Sequence, residues 1–313
     1  MKHERYGVEA SVAELVRQRP AAGKPTARRA ARVRTAHWGN DPSVFHGRGM
    51  EYDESRPYQP GDDVRTIDWR VLARTGRVHT KLFCEDRERP TLLLVDTRAP
   101  MRFGTRDSFK SVLAARAAAA LAWDAVDLGE RVGGVVLRPS RLARVPAHRG
   151  RPRLLAFLRS ISEATAEQAE SESPTLAEGL CSLSYSARPG ARIFLFSDFA
   201  DLYEEARRHM VRLSHRCDLT AIVIHDPLEI EAPDGTGYRV SDGDRVVHLP
   251  TQDDAWRRQY AELFAARRRR VEELCARHRA GFLTLCTGED YRARLRGLVQ
   301  ERNLRARRRG SRP

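Results

Sequence analysis

From Thr91 onward the chain alternates short apolar runs with longer segments of helical period. Leu92 to Asp96 is a continuous apolar run of the kind buried on both faces of a sheet, and it ends on an aspartate. Asp107 to Leu128 carries a helical pattern, with an acid near its start, where the helix dipole favours one, and Gly129 to close it. Arg131 to Leu137 and Arg141 to Val145 read as strands joined around Pro139-Ser140 as a hairpin. Gly133-Gly134 falls inside the first of these, which suits close packing rather than a phosphate loop. The pattern then predicts a helix over Arg151 to Glu163, a polar loop from Ala164 to Ser173, and a helix over Thr175 to Tyr185 introduced by Pro174. Next come a strand over Ala191 to Ser197, a helix over Tyr203 to Ser214 and a strand over Asp218 to His225. A hairpin over Gly237 to Leu249, a long helix over Asp253 to Arg279, a strand over Phe282 to Cys286 and a helix over Asp290 to Gln300 complete it.

Strands alternating with helices imply an α/β fold: a mostly parallel sheet with helices on both faces, plus one antiparallel edge strand from the early hairpin. In such sheets ligands bind at the carboxyl ends of the strands, near the point where strand order reverses. Asp96 and Ser197-Asp198 lie at two such ends.

Upstream, the stretch from Gly49 to Arg74 breaks this rhythm. Glu51, Glu54, Asp62, Asp63 and Asp68 alternate with Arg56, Arg65, Arg70 and Arg74, and Pro60-Gly61 supplies a turn. Tyr58 and Trp69 give it apolar surface for docking, and Arg77 to Cys84 alternates as a strand does. The expected roles of these charges are an ion-pair network or, as a rival, a carboxylate cluster of Asp62, Asp63 and Asp68 for metal-dependent hydrolysis.

The pattern Arg56-x-Tyr58-x-Pro60-Gly61-Asp62-Asp63-x-Arg65-x-Ile67-Asp68-Trp69, followed by Ala73-Arg74, closely resembles the motif of a large bacterial family catalogued as a domain of unknown function. The resemblance spans roughly Trp38 to Leu298. It implies a Rossmann-like von Willebrand A-type domain, and members are often encoded beside MoxR-type AAA+ ATPases. The domain plan that follows is a basic, partly disordered tail over residues 1–36 with a short helical patch around Val8 to Arg17, a charged extension over 37–90 packed on the domain, a von Willebrand A-like domain over 91–300 and a basic tail over 301–313.

The resemblance also implies a place for a metal-ion-dependent adhesion site, Asp-x-Ser-x-Ser after the first strand, a threonine on a second loop and an aspartate on a third. Asp96 takes the first position, Thr175 the second loop and Asp198 the third. Arg98 and Pro100 stand where the two serines would be, and neither side chain offers an oxygen to a cation that demands octahedral oxygen coordination. A guanidinium at position 98 is expected to take the cation's place beside Asp96 and Asp198. The alternative leaves Arg98 in solvent and Asp96 capping its loop. No cofactor is expected.

Net charge is +14, but residues 1–36 carry +6 and residues 292–313 carry +8, so the body between them is neutral. Basic ends attract nucleic acid or acidic proteins without specificity, and a nucleic-acid-binding role through them is a second rival. The five cysteines are widely spaced, with no Cys-x-x-Cys, against a zinc site or a disulfide framework. No run approaches the ~20 apolar residues of a membrane span, and Met1-Lys-His-Glu-Arg lacks a signal core, so the expected place is the cytoplasm without a membrane anchor. No P-loop, Gly-x-Gly-x-x-Gly, His-Glu-x-x-His or Gly-x-Ser-x-Gly occurs, and no histidine is set for hydrolase chemistry. The implied role is a non-enzymatic adaptor or chaperone-like partner of a MoxR-type ATPase and its clients, acting through the face around Asp96, Arg98, Thr175 and Asp198 and through the motif.

Overall fold

In this computed structural model the described residues are 7–20, 50–85, 89–168, 173–233, 235, 238–241 and 246–297. They form two compact units, one of residues 50–85 and one of residues 7–20 with 89–297. The first helix, α1 (Val12–Arg17), belongs to the larger unit. The basic-tail expectation is corrected for residues 7–20, because Ala10 and Leu15 are buried in that unit's core.

The small unit is an antiparallel pair, β1 (Met50–Pro57) with β2 (His79–Glu85), and α2 (Trp69–Thr75) between them. The turn predicted at Pro60-Gly61 is closed by the Asp62 amide donating to the Gln59 carbonyl at 3.0 Å. The strand β1 was not expected from the sequence, since charged residues hide its pattern.

The large unit has a six-stranded sheet built from β3 (Thr91–Asp96), β4 (Val132–Leu137), β5 (Leu142–His148), β6 (Arg192–Ser197), β7 (Asp218–His225) and, after a small β8 (Arg239–Ser241) and β9 (Val246–His248) hairpin, β10 (Gly281–Cys286). The order is β10-β7-β6-β3-β4-β5, all parallel except β5 at the edge. Leu93 and Val95 of β3 face a core with α1, α3 (Lys110–Asp127) and α4 (Arg151–Ala166). Leu92 and Leu94 face a second core with α5 (Leu176–Ser186), α6 (Glu204–Arg216) and the end of α8 (Asp254–Arg277). Burial on both faces is why these strands read as unbroken apolar runs. A single turn, α7 (Pro227–Ile230), follows β7, and residues 291–297 are helical.

Two boundaries differ from expectation for packing reasons. The helix α3 starts at Lys110 rather than Asp107, and Asp107 instead accepts from Arg116 Nη1 at 3.2 Å. The helix α4 runs on to Ala166, because Ala164 and Thr165 are buried, and the Thr165 hydroxyl accepts from the Ala10 amide at 3.0 Å. The predicted end of the last helix at residues 298–300 and the C-terminal tail lie outside the described residues.

Strand β4 tolerates no side chain at Gly134, where a Cβ would lie 1.9 Å from the Leu93 carbonyl oxygen of the neighbouring strand. Gly190, with open space around it, has no such contact. The substitution Gly134→Ala should therefore lower unfolding free energy by ~3 kcal/mol or more, and Gly190→Ala by no more than its backbone strain of ~1–2 kcal/mol, in urea titrations.

Candidate functional site

The sheet order reverses at β3: the chain leaves it toward β4 and later returns to its other side at β6. The crevice at the carboxyl ends of β3 and β6 is thus the switch point where α/β sheets bind ligands. Asp96 ends β3 and is 1 % exposed. The chain then turns through a 3₁₀ segment, Ala99–Met101, where Pro100 serves the turn with its fixed φ. That turn folds Arg98 back over the strand end.

Arg98 uses every N–H it has. Its Nε donates to Asp96 Oδ1 at 2.9 Å and its Nη2 to Asp96 Oδ2 at 2.7 Å. The same Nη2 donates to Asp201 Oδ1 at 3.0 Å, and Nη1 to Asp201 Oδ2 at 2.6 Å. The fifth bond runs from Nη1 to the Pro174 carbonyl at 3.0 Å. Ser197 Oγ donates to Asp96 Oδ2 at 2.7 Å, and the Leu176 amide, at the start of α5, donates to Asp201 Oδ2 at 2.8 Å. Burial alone would lower the Arg98 pKa, but hydrogen bonds with the two carboxylates outweigh it and the net shift is upward. Burial would likewise raise that of Asp201, and the guanidinium turns the shift downward.

The sequence reading placed Asp198 against Arg98, and the structure corrects the partner to Asp201. Phe199 is the reason. It is buried with φ +55°, a region that bulky side chains avoid, so the loop kinks and sends Asp198 and Asp201 to different cations. Asp198 Oδ2 accepts from Lys110 Nζ at 3.2 Å, and Glu229 Oε1 accepts from the same ammonium at 2.7 Å. The Lys110 side chain is 1 % exposed. Thr175 caps α5 in a capping box with Glu178, and its hydroxyl takes no part in the Arg98 cluster.

Beside Lys110, Asp226 gathers the Thr105 amide and hydroxyl at 2.8 and 2.6 Å, the Leu228 amide at 3.0 Å and the Thr287 hydroxyl. His225 is held neutral: burial, then the Lys110 charge, lowers its pKa to about 4. Burial pushes the Cys286 thiol up to about 11, away from thiolate chemistry.

Sequence reasoning missed Lys110, Asp201 and Glu229. Lys110 carried a signal, being one of only four lysines among 56 basic residues and the sole lysine in an alanine-rich helix. Asp201 is three residues beyond Asp198, and only the Phe199 kink makes it the nearer partner.

The motif acids have local duties in the small unit. Asp62 pairs with Arg56 at 2.6 Å and accepts from the Gln59 amide and Thr80 hydroxyl. Asp63 caps a 3₁₀ turn, and Asp68 caps α2 while accepting from Ser55 Oγ at 2.9 Å. Of the expected ion-pair network the described side chains show Arg56–Asp62, while Asp63 and Asp68 serve as helix caps and the side chains of Glu51 and Glu54 lie outside the described ones. Among the described residues no group of three or more His, Cys, Asp or Glu is placed to hold a metal. Tyr58 donates its amide to the Val78 carbonyl at 3.0 Å, and Trp69, with 62 % exposure, and Arg65 and Arg74 face solvent.

A divalent cation does not fit this crevice as it stands. Both Asp96 oxygens are engaged by the guanidinium, and positions 98 and 100 offer no side-chain oxygen.

The fold and site define a Rossmann-like α/β protein with an arginine buried over the carboxyl end of its first sheet strand. Residues 54–270 match the family described as "Protein of unknown function DUF58". The chain belongs to that family. It is 34 % identical over 266 residues to "Uncharacterized protein Rv1480" of Mycobacterium tuberculosis (strain ATCC 25618 / H37Rv), covering 84 % of this chain and 83 % of that one. The same figures hold for "Uncharacterized protein Mb1516" of Mycobacterium bovis. Among solved structures, BatB from Bacteroides thetaiotaomicron is similar at 14 % identity and TM-score 0.44, covering 68 % of this chain and 98 % of that one. A von Willebrand factor type A protein from Catenulispora acidiphila is similar at 12 % identity and TM-score 0.33, covering 74 % and 45 %. No helix among the described residues is long and apolar enough to cross a membrane.

Removing the guanidinium leaves the buried Asp96 carboxylate facing the half-buried one of Asp201. Arg98→Gln should cost about 3–5 kcal/mol at neutral pH, as breaking a buried pair does. The depressed pKa of Asp201 stabilises the fold fully above the unfolded carboxylate value of about 3.9, and that contribution fades as pH falls through the folded value. The gap between wild type and Arg98→Gln should therefore narrow below about pH 4. Urea titrations that find the same gap in acid and at neutrality would remove Asp201 from this account.

Proposed function

We propose that the protein is a non-enzymatic, cytoplasmic adaptor that presents its sheet-end face and its Arg56-to-Arg74 motif to a MoxR-type AAA+ ATPase and to client proteins. The observation carrying this reading is the saturation of Arg98 by Asp96, Asp201 and Pro174. A face whose charges are already matched internally needs no cation to become ordered, and it recognises a partner by shape and by its rim. Tyr203 stands at that rim with 74 % exposure, directly after the Asp201 loop, and Trp69 offers a second exposed aromatic on the motif. Exposed aromatics of this kind anchor protein interfaces. The sequence contains no nucleotide-binding loop, so any energy-consuming step falls to the ATPase.

The same matching speaks against the hydrolase reading, since Asp62, Asp63 and Asp68 are committed to a salt bridge and two helix caps. The basic ends that would serve nucleic acid lie largely outside the described residues, and the sequence charge they carry is not patterned for base recognition.

The test is affinity capture of the MoxR-type ATPase encoded in the same genome by the full chain, with ATP, with ADP and without nucleotide. Association should depend on nucleotide and should weaken by about tenfold or more in Tyr203→Ala or Trp69→Ala. Association with none of the three nucleotide states, or capture indifferent to both substitutions, would defeat the proposal.

A further inference from the structure

Helix α3 is buried without a break from Lys110 to Ala125. An alanine-rich helix buried right round needs a cover on the side turned from the sheet. Part of that cover is α4, and part is the N-terminal segment, residues 7–20, whose helix α1 packs on both.

The seat is specific at each step. Ser11 caps α1 by accepting from the Glu14 amide at 3.2 Å. Leu15 is fully buried, and its carbonyl accepts from Trp123 Nε1 at 3.2 Å. Arg116, on α3, donates from Nε to Glu14 at 2.5 Å. Arg19 lies over the Trp123 ring at 5.5 Å and pairs with Asp127 at 2.8 Å. Gln18 accepts from Arg292 Nη2 at 2.6 Å.

Two features set this segment apart from the rest of the core. Its helix has six residues, far below the ~12–15 that hold a helix in water, so the groove folds it. The family match begins at residue 54, so α3 and α4 lie inside the match while the segment they hold lies outside it.

We propose that the groove between α3 and α4 is a helix-docking site whose partner is a short amphipathic helix with a hydroxyl cap, a Glu-Leu pair in its first turns and an arginine one turn later, residues 7–20 being its displaceable ligand in cis. Arg116 selects the carboxylate, the floor beside Trp123 takes the leucine, and Trp123 with Asp127 takes the guanidinium. Exchange of the ligand also reaches the sheet-end face. The Phe109 amide, which opens α3 next to Lys110, donates to the Gly7 carbonyl at 2.7 Å. This inference rests on the seat and not on the ATPase reading.

The experiment uses the full chain. Leu15→Asp unseats the segment, and a fluorescein-labelled peptide of residues 7–20 is then titrated against it by anisotropy. The wild-type peptide should bind the Leu15→Asp protein saturably and at least about tenfold more tightly than it binds wild-type protein, whose groove is filled. A peptide carrying the same Leu15→Asp change should not bind. Adding Arg116→Glu to the protein should abolish binding, and a peptide with Glu14→Arg should restore it. A folded Leu15→Asp protein that ignores the peptide, or equal binding by both proteins, overturns the proposal. If Leu15→Asp melts early, the wild-type peptide must raise its melting temperature, and failure to do so overturns it as well. A wild-type chain that dimerises by trading segments makes the occupant a second copy and overturns the assignment to a partner helix.

Discussion

Two buried cations at the carboxyl ends of the central strands hold this site together. Arg98 binds Asp96 and Asp201, and Lys110 binds Asp198 and Glu229. Taking charges out of water costs several kcal/mol each, and only complete pairing offsets it. Arginine suits the deeper demand because its fork of five donors meets two planar carboxylates and a carbonyl at once, which a lysine could not do. Lysine, a point charge on a flexible stem, suits the second site, where two carboxylates reach it from different elements.

The backbone bends to serve these pairs. Phe199 holds a positive φ at a cost of about 1–3 kcal/mol, and its buried ring and the Ser197 hydroxyl on its amide fix the kink. Without the kink, Asp198 and Asp201 would not divide between the two cations. The cations replace what a bound metal would do for such a crevice: they gather carboxylates from separate loops and hold the loops in one arrangement. The face they leave outside is polar, ordered and rimmed by an exposed tyrosine.

The small unit repeats the lesson on a smaller scale. Its motif looked like a salt-bridge ladder because opposite charges alternate in sequence. In the fold Asp63 and Asp68 go to backbone amides at helix starts, since an unpaired amide at a helix N-terminus is a fixed demand and a surface ion pair is worth little. The arginines left over, Arg65, Arg70 and Arg74, stay in water with Trp69.

The sequence alone determined the α/β alternation, the parallel sheet with its antiparallel edge, and the place of Asp96 and Arg98 at a strand end. These follow from local periodicity, because a strand buried on both faces and a helix buried on one leave different spacings of apolar residues. It also indicated that a metal would lack ligands, because side-chain chemistry at positions 98 and 100 is readable without coordinates. Only the tertiary structure decided that Asp201 rather than Asp198 meets Arg98, that Lys110 is buried between two acids, and that residues 7–20 are a packed cover rather than a loose tail. Those facts depend on one backbone kink and on contacts between residues a hundred positions apart, and the spacing of residues along a chain holds no record of either.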